Sequence, residues 1–504
     1  MTRILGSIVL LGLMTGISLP AHAEADQASE PKRPSSGDAV EDRFAAARKA
    51  VEKVLQEAKV PSIAVAVVKD GKIIWAEGFG WADKERQVRA TAHTAYSIAS
   101  LTKPVTATAV MTLSQAGKLD LDAPIERYLG GIRLSGHAGS STGVTARRLM
   151  THSAGLPFYG RFYLDGAKPA GSQETISKFG MTVFPPATRF RYSNMGMKVL
   201  ETAVERVSRQ SFGEYLRRQV FLPLGMRDSA IGRPAGAQAA IRYDSKRAPM
   251  VYYLTDHAGS GDVWASAHDM ARFLAFHIGT PLADQKLILG DATRLAMQRP
   301  ASAFPMPAGP GEPRRDIGAN WILSSINGHR HIWHSGGQPG VSSYMAFYPD
   351  QKFGFVLLAN SSAPLGAIGQ AIREAVAPEV SPRPTEGPLP AASPIPFEGK
   401  WAGSVVNHAG TLPITFNFQE GGAIMVQLGD QPGIPLAKPS FEDGVFAGQF
   451  KGISNLPETR GEPQQFALEL VRDKDDLVGQ LTAITQNEKV AFMLPSFVRL
   501  RPSR

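Results

Sequence analysis

The sequence predicts a mixed α/β (α+β) domain built on an antiparallel sheet, followed by a small all-β domain of barrel or sandwich type. Three observations predict it. Strand-like runs occur early, at residues 62–68 and 73–76, and again late, at 321–325, 329–333, 341–348 and 353–358. Helical periodicity fills the stretch between them, so a sheet assembled from both ends with a helical insertion fits the order. Beyond a Pro-rich stretch, short alternating segments run to the end of the chain.

The elements follow in order. Phe44, Ala45, Val51, Val54 and Leu55 recur at helical spacing and predict an amphipathic helix. Asp70-Gly71 joins the first two strand runs as a hairpin turn, and Asn327-Gly328 joins 321–325 to 329–333 in the same way. Residues 105–115 and 197–209 read as helices. The main domain is expected over 40–376, a linker with seven prolines over 377–396, and the β domain over 397–504. There, Ile414-Phe416-Phe418, Ile424-Val426-Leu428 and Phe466-Leu468-Leu470 alternate as half-buried strands do.

The N-terminus reads differently. Arg3, an apolar run from 4 to 19 and Ala21-His22-Ala23 have the form of a secretory signal peptide, cleaved after Ala23. Residues 24–39 read as a flexible leader. The expected location is therefore periplasmic or secreted, with no stable membrane span after cleavage. The 504 residues contain no cysteine, so an exported fold would rest on core burial alone, without disulfides. Net charge is +9, and the excess lies before residue 395, since ten Lys and Arg face twelve Asp and Glu from there onward. No basic cluster with interleaved aromatics occurs, which argues against nucleic acid as a partner.

The chemistry-bearing residues come in three groups. Ser100 and Lys103 stand three apart, hence one helical turn apart on one face. Pro104 suits a helix start near Ser100, where the positive helix end favours negative charge on the serine oxygen. A hydroxyl nucleophile needs that help and an adjacent base. Ser29-Glu30-Pro31-Lys32 has the same spacing but lies in the leader, so context separates the two. Tyr192-Ser193-Asn194 is the second group. Tyrosine acts as a base only as phenolate, and a nearby charged lysine would lower its pKa. Asn194 can both donate to and accept from an amide substrate. The third group is His334-Ser335-Gly336-Gly337 on a strand, where glycines let substrate approach the backbone and an N–H can serve an oxyanion.

In this order, Ser100-x-x-Lys103, Tyr192-x-Asn194 and His334-x-Gly336 resemble the serine β-lactamase and penicillin-binding-protein superfamily, in its class C-like branch. Residues 149–157, 117–122 and 265–270 match supporting phrases, and the resemblance covers about 40–376. It implies a β-lactamase/transpeptidase-like fold and Ser100 as acylated nucleophile, with Lys103 and Tyr192 handling the proton in an order left open. It also implies Asn194 as a substrate contact, and the N–H groups of Ser100 and Gly337 as oxyanion hole. No metal or organic cofactor is implied. Many superfamily members carry lysine where His334 stands, whereas esterase-like and aminopeptidase-like ones often carry histidine. The expected activity is thus hydrolysis of an ester, amide or peptide through an acyl-enzyme. A true β-lactamase and a non-catalytic binding protein on the same fold are the alternatives. A metal site at His329-x-His331 and an α/β-hydrolase elbow at Gly139-Ser140-Ser141-Thr142-Gly143 have weaker support, lacking a ligand motif and an approaching strand respectively.

Overall fold

A computed structural model describes residues 42–503, apart from 165, 235–237, 307–313, 382–393, 421 and 487–489. The expected signal peptide and leader, and most of the expected linker, lie outside the described residues.

The main sheet has eight strands among the described residues, and its order mixes early and late segments. Ser62–Lys69 lies at its centre, flanked by Lys72–Asp83 on one side and by Phe353–Ala359 on the other. Val341–Tyr348, His329–Gln338, Ile322–Ile326 and Asp316–Ile317 follow outward. All these pairings are antiparallel. Both expected hairpin turns are present: Asp70 and Gly71, like Asn327 and Gly328, have positive φ. That backbone matches the twist of a tight hairpin, and Asn, Asp and Gly tolerate it best.

The central strand shows why its sequence is continuously apolar. Ile63, Val65 and Val67 enter a core with the Ala45–Glu57 and Gly366–Val376 helices. Ala64, Ala66 and Val68 enter a second core with the Thr102–Gln115 and Ala267–Ile278 helices. Helices on both faces leave the strand no solvent side. Phe353–Ala359 is buried throughout for the same reason.

The C-terminal strands form a second sheet that curls into a nearly closed barrel. Phe416, Phe446, Leu468, Leu470 and Leu481 fill its interior, as the alternation predicts. One feature departs from a separate accessory domain. Gly160–Leu164, from the middle of the main domain, pairs antiparallel with the Val490–Pro502 strand of the barrel. Two apolar clusters also join the units. Met181, Val183 and Phe184 meet Val471, Val478 and Phe497, and Phe162 and Tyr253 meet Ala491 and Met493. No helix among the described residues is long and apolar enough to cross a membrane.

The buried histidines make stability pH-dependent. His277 is fully buried among Phe273, Phe276 and Trp321, and burial lowers its pKa to about 3. Between about pH 6.5 and pH 3 the unfolded chain binds a proton here that the folded chain does not. This contribution to stability is therefore full above about pH 6.5 and falls as pH drops. Going from pH 7.5 to pH 5 should cost wild type roughly 2 kcal/mol through this ring that a His277→Gln variant does not lose. Urea unfolding of both proteins at the two pH values checks it.

Candidate active site

Ser100 sits in a turn of 3-10 helix, Ala99–Leu101, that leads directly into the Thr102–Gln115 α-helix. The expected helix start is thus present, with a tighter first turn. Ala99 holds φ +47°, a left-handed conformation costing a non-glycine residue of order 1–3 kcal/mol. Burial of Ala99, Leu101, Thr102 and Lys103 around it fixes that turn.

The three expected groups meet around the Ser100 turn. Lys103 Nζ lies 3.0 Å from Ser100 Oγ and the Tyr192 hydroxyl 2.9 Å from it. Lys103 is completely buried and also donates to the Ser260 carbonyl at 2.9 Å. Its ammonium position lies 4.7 Å from the centre of the Tyr192 ring. Burial pushes the Lys103 amine well below its usual range, toward the neutral form.

Tyr192 departs from expectation. A charged lysine would have lowered its pKa; burial raises it instead, with the Ser100 hydrogen bond opposing weakly. The two shifts agree physically, because a lysine driven to neutrality no longer stabilises a phenolate. Burial thus disfavours both the Lys103 ammonium and the Tyr192 phenolate.

The Tyr192-Ser193-Asn194 segment is fixed on three sides. Ser193 caps the Asn194–Ser208 helix, its Oγ accepting from the Gly196 N–H and donating to the Pro157 carbonyl. The Asn194 amide donates to the Tyr159 carbonyl, while its buried Oδ1 has no partner among the described residues. The Ser193 N–H donates to His152 Nδ1, and the His152 ring lies 4.5 Å from the Tyr192 ring.

His334, Gly336 and Gly337 occupy the His329–Gln338 strand, opposite Met345, Ser343 and Ser342. His334 is 3% exposed, and its Nδ1 donates to the Ser335 carbonyl. Burial lowers its pKa to about 3, so the ring is neutral. Gly336 is required by close approach. A Cβ there would stand 2.2 Å from Ser343 Oγ, 2.6 Å from the Ile98 carbonyl and 3.1 Å from the Ser100 nitrogen. The strand backbone thus presses against the Ser100 turn. A Cβ on Gly337 would meet nothing within 4 Å, so that residue borders open space.

Two contributors are not legible in the sequence. His152 lies inside the 149–157 phrase, where nothing local marks it as a partner of the Tyr192 segment. Ser260 follows His257, whose His-x-Gly match has no distinguishing setting. In the fold, His257 Nδ1 stands 2.6 Å from Ser260 Oγ, and Glu201 accepts from the Gly259 N–H at 2.8 Å. Glu201 also pairs with Lys198 at 2.6 Å, both side chains being buried. The segment that offers its carbonyl to Lys103 is thereby held on both sides. His329 and His331 do not converge on a shared ligand position. His329 bonds to Gln351, and His331 to Ser324 and Tyr344. Ser141 of the Gly139–Gly143 match lies on a 3-10 turn.

A family model described as Beta-lactamase matches residues 47–377. Penicillin-binding protein 4* of Bacillus subtilis (strain 168) is 28% identical over 323 residues, covering 59% of this chain and 67% of that protein. The chain spans between 61% and 67% of the length of the first curated relatives it matches, such as Penicillin-binding protein 4* and Protein flp of Staphylococcus aureus. An octameric penicillin-binding protein homologue from Pyrococcus abyssi has the same fold, with TM-score 0.58 and 23% identity over 88% of this chain and 99% of that one. A class C beta lactamase from Rhodobacter sphaeroides gives TM-score 0.53 and 22% identity, over 66% of this chain and 98% of that one.

Proposed function

The chain belongs to the beta-lactamase family of serine hydrolases, and from that premise we propose that it hydrolyses an ester, amide or peptide through an acyl-enzyme on Ser100. The observation that carries this reading is the convergence of Lys103 Nζ and the Tyr192 hydroxyl on one serine oxygen, at 3.0 and 2.9 Å.

The route follows from the protonation states. Neutral Lys103 takes the Ser100 proton as Oγ bonds to the acyl carbon. The Ser100 and Gly337 N–H groups receive the oxyanion, at the positive start of the helix. Tyr192, a neutral phenol, passes a proton to the leaving group as its bond to the acyl carbon breaks. Lys103 then returns its proton to Tyr192, so that both are neutral again. Water attacks the ester and Lys103 takes its proton. Tyr192, reprotonated by Lys103, passes a proton to Ser100 Oγ as the ester bond breaks. Asn194, two residues after Tyr192 at the start of its helix, is assigned the substrate contact.

The neutral His334 bears on substrate. A buried ring with a pKa of about 3 offers no cation to a substrate carboxylate. That favours ester, amide or D-amino-acid peptide substrates over β-lactams. Export is proposed from the charged start, the apolar run and Ala21-His22-Ala23.

A panel of activated esters, D-amino-acid p-nitroanilides and a chromogenic cephalosporin tests the reading, with wild type and Ser100→Ala side by side. Turnover of an ester or anilide by wild type alone is the expected result. Equal rates from both proteins would remove Ser100 from the mechanism. Cephalosporin turnover far above every other substrate would make it a β-lactamase.

A further inference from the structure

The barrel reaches the active site through one short piece of chain. Residues 157–159 carry three consecutive backbone contacts. The Pro157 carbonyl accepts from Ser193 Oγ at 2.7 Å, and the Tyr159 carbonyl accepts from the Asn194 amide at 2.9 Å. Between them, the Phe158 N–H donates instead to Gln480 Oε1 at 3.2 Å. Gln480 belongs to the Asp476–Gln486 strand of the barrel and is 5% exposed. Its amide donates to Glu469 Oε2 at 2.7 Å, and Glu469 Oε1 lies 3.8 Å from Arg191, the residue before Tyr192. Immediately after Tyr159, the chain becomes the Gly160–Leu164 strand of the barrel sheet.

We propose that Gln480 is a positioning residue for the Tyr192-Ser193-Asn194 segment, so that the barrel is a working part of the active site and not an appended module. Gln480 pins the back of the 157–159 rail on which Ser193 and Asn194 are registered. Glu469 orients the Gln480 amide and holds the approach to Tyr192 from the other side. A buried amide with both ends bonded has one orientation, which is what a positioning group requires. The barrel stays docked without it. The two apolar clusters, one of which Phe158 itself packs against, the Lys178–Glu458 pair at 3.3 Å and the Arg499 bond to the His137 carbonyl hold the interface without the Gln480 bonds.

This inference rests on the proposed acyl-enzyme route, and its test separates the two. The full-length chain is assayed on a D-amino-acid p-nitroanilide as wild type, Ser100→Ala, Gln480→Met and the exchange variant Glu469→Gln/Gln480→Glu. Methionine keeps the volume and removes both bonds. The exchange keeps both, since a carboxylate at position 480 accepts from the Phe158 N–H and from an amide at position 469. Gln480→Met should lower kcat by about tenfold or more, as small displacements of reacting groups do, with KM and the urea midpoint little changed. The exchange variant should return kcat to within about threefold of wild type. Wild-type kcat in Gln480→Met, or a loss that the exchange leaves unrestored, overturns the proposal. Should Gln480→Met fail to fold, Gln480→Leu, which also removes both bonds, takes its place in the comparison. Activity surviving in Ser100→Ala would instead overturn the acyl-enzyme route.

Discussion

Replacing Lys103 by alanine is expected to lower kcat/KM by about 10³- to 10⁴-fold, the upper part of the range for loss of a general base. The reason is placement and protonation together. The amine lies 3.0 Å from Ser100 Oγ, is completely buried, and is pushed toward neutrality by that burial. Lysine as base is competent only when unprotonated. Activity should therefore rise with pH through the lowered pKa of Lys103 and level off above it, well before the usual lysine range. The rising limb belongs to Lys103, because His334, with a pKa of about 3, does not titrate in the assay range. Lys103→Arg should restore nothing, since a guanidinium stays charged at every usable pH. A pH profile of kcat/KM for the three proteins checks this. A Lys103→Arg enzyme with wild-type activity would reassign the base.

Replacing Tyr192 by phenylalanine should lower kcat by about 100-fold on amides and far less on activated esters. The hydroxyl is 2.9 Å from Ser100 Oγ, and burial keeps it protonated. An amine leaving group must gain a proton as the C–N bond breaks, whereas p-nitrophenolate leaves without one. The ratio of the two losses therefore reports the role of Tyr192. Equal losses on both substrates would move Tyr192 to the attack step.

The difference between what sequence shows and what it hides follows from distance along the chain. Ser100 and Lys103 are legible because one helical turn fixes their separation. His334, Gly336 and Gly337 are legible because a hairpin and two glycines mark a strand that something must approach. Tyr192 is visible as a motif, but its electrostatics are not, because the sign of its shift depends on whether Lys103 is buried. The Phe158–Gln480 bond joins residues 322 positions apart and leaves no local pattern. The same holds for Gly160–Leu164, too short a strand to declare its partner, which is why the barrel reads as a detached domain in sequence. Ser260 acts through a backbone carbonyl, which any residue type could supply.

The central claim, a covalent bond from Ser100 to the acyl group, is tested most directly by intact-mass measurement on acid-quenched enzyme. Wild type and Ser100→Ala would each be mixed with a slowly released acyl donor, such as a bulky p-nitrophenyl ester. The account predicts a mass increase equal to one acyl group on wild type only, mapping after digestion to the peptide that contains Ser100. Turnover of the same ester with no adduct on Ser100, or an adduct of equal yield on Ser100→Ala, would contradict it.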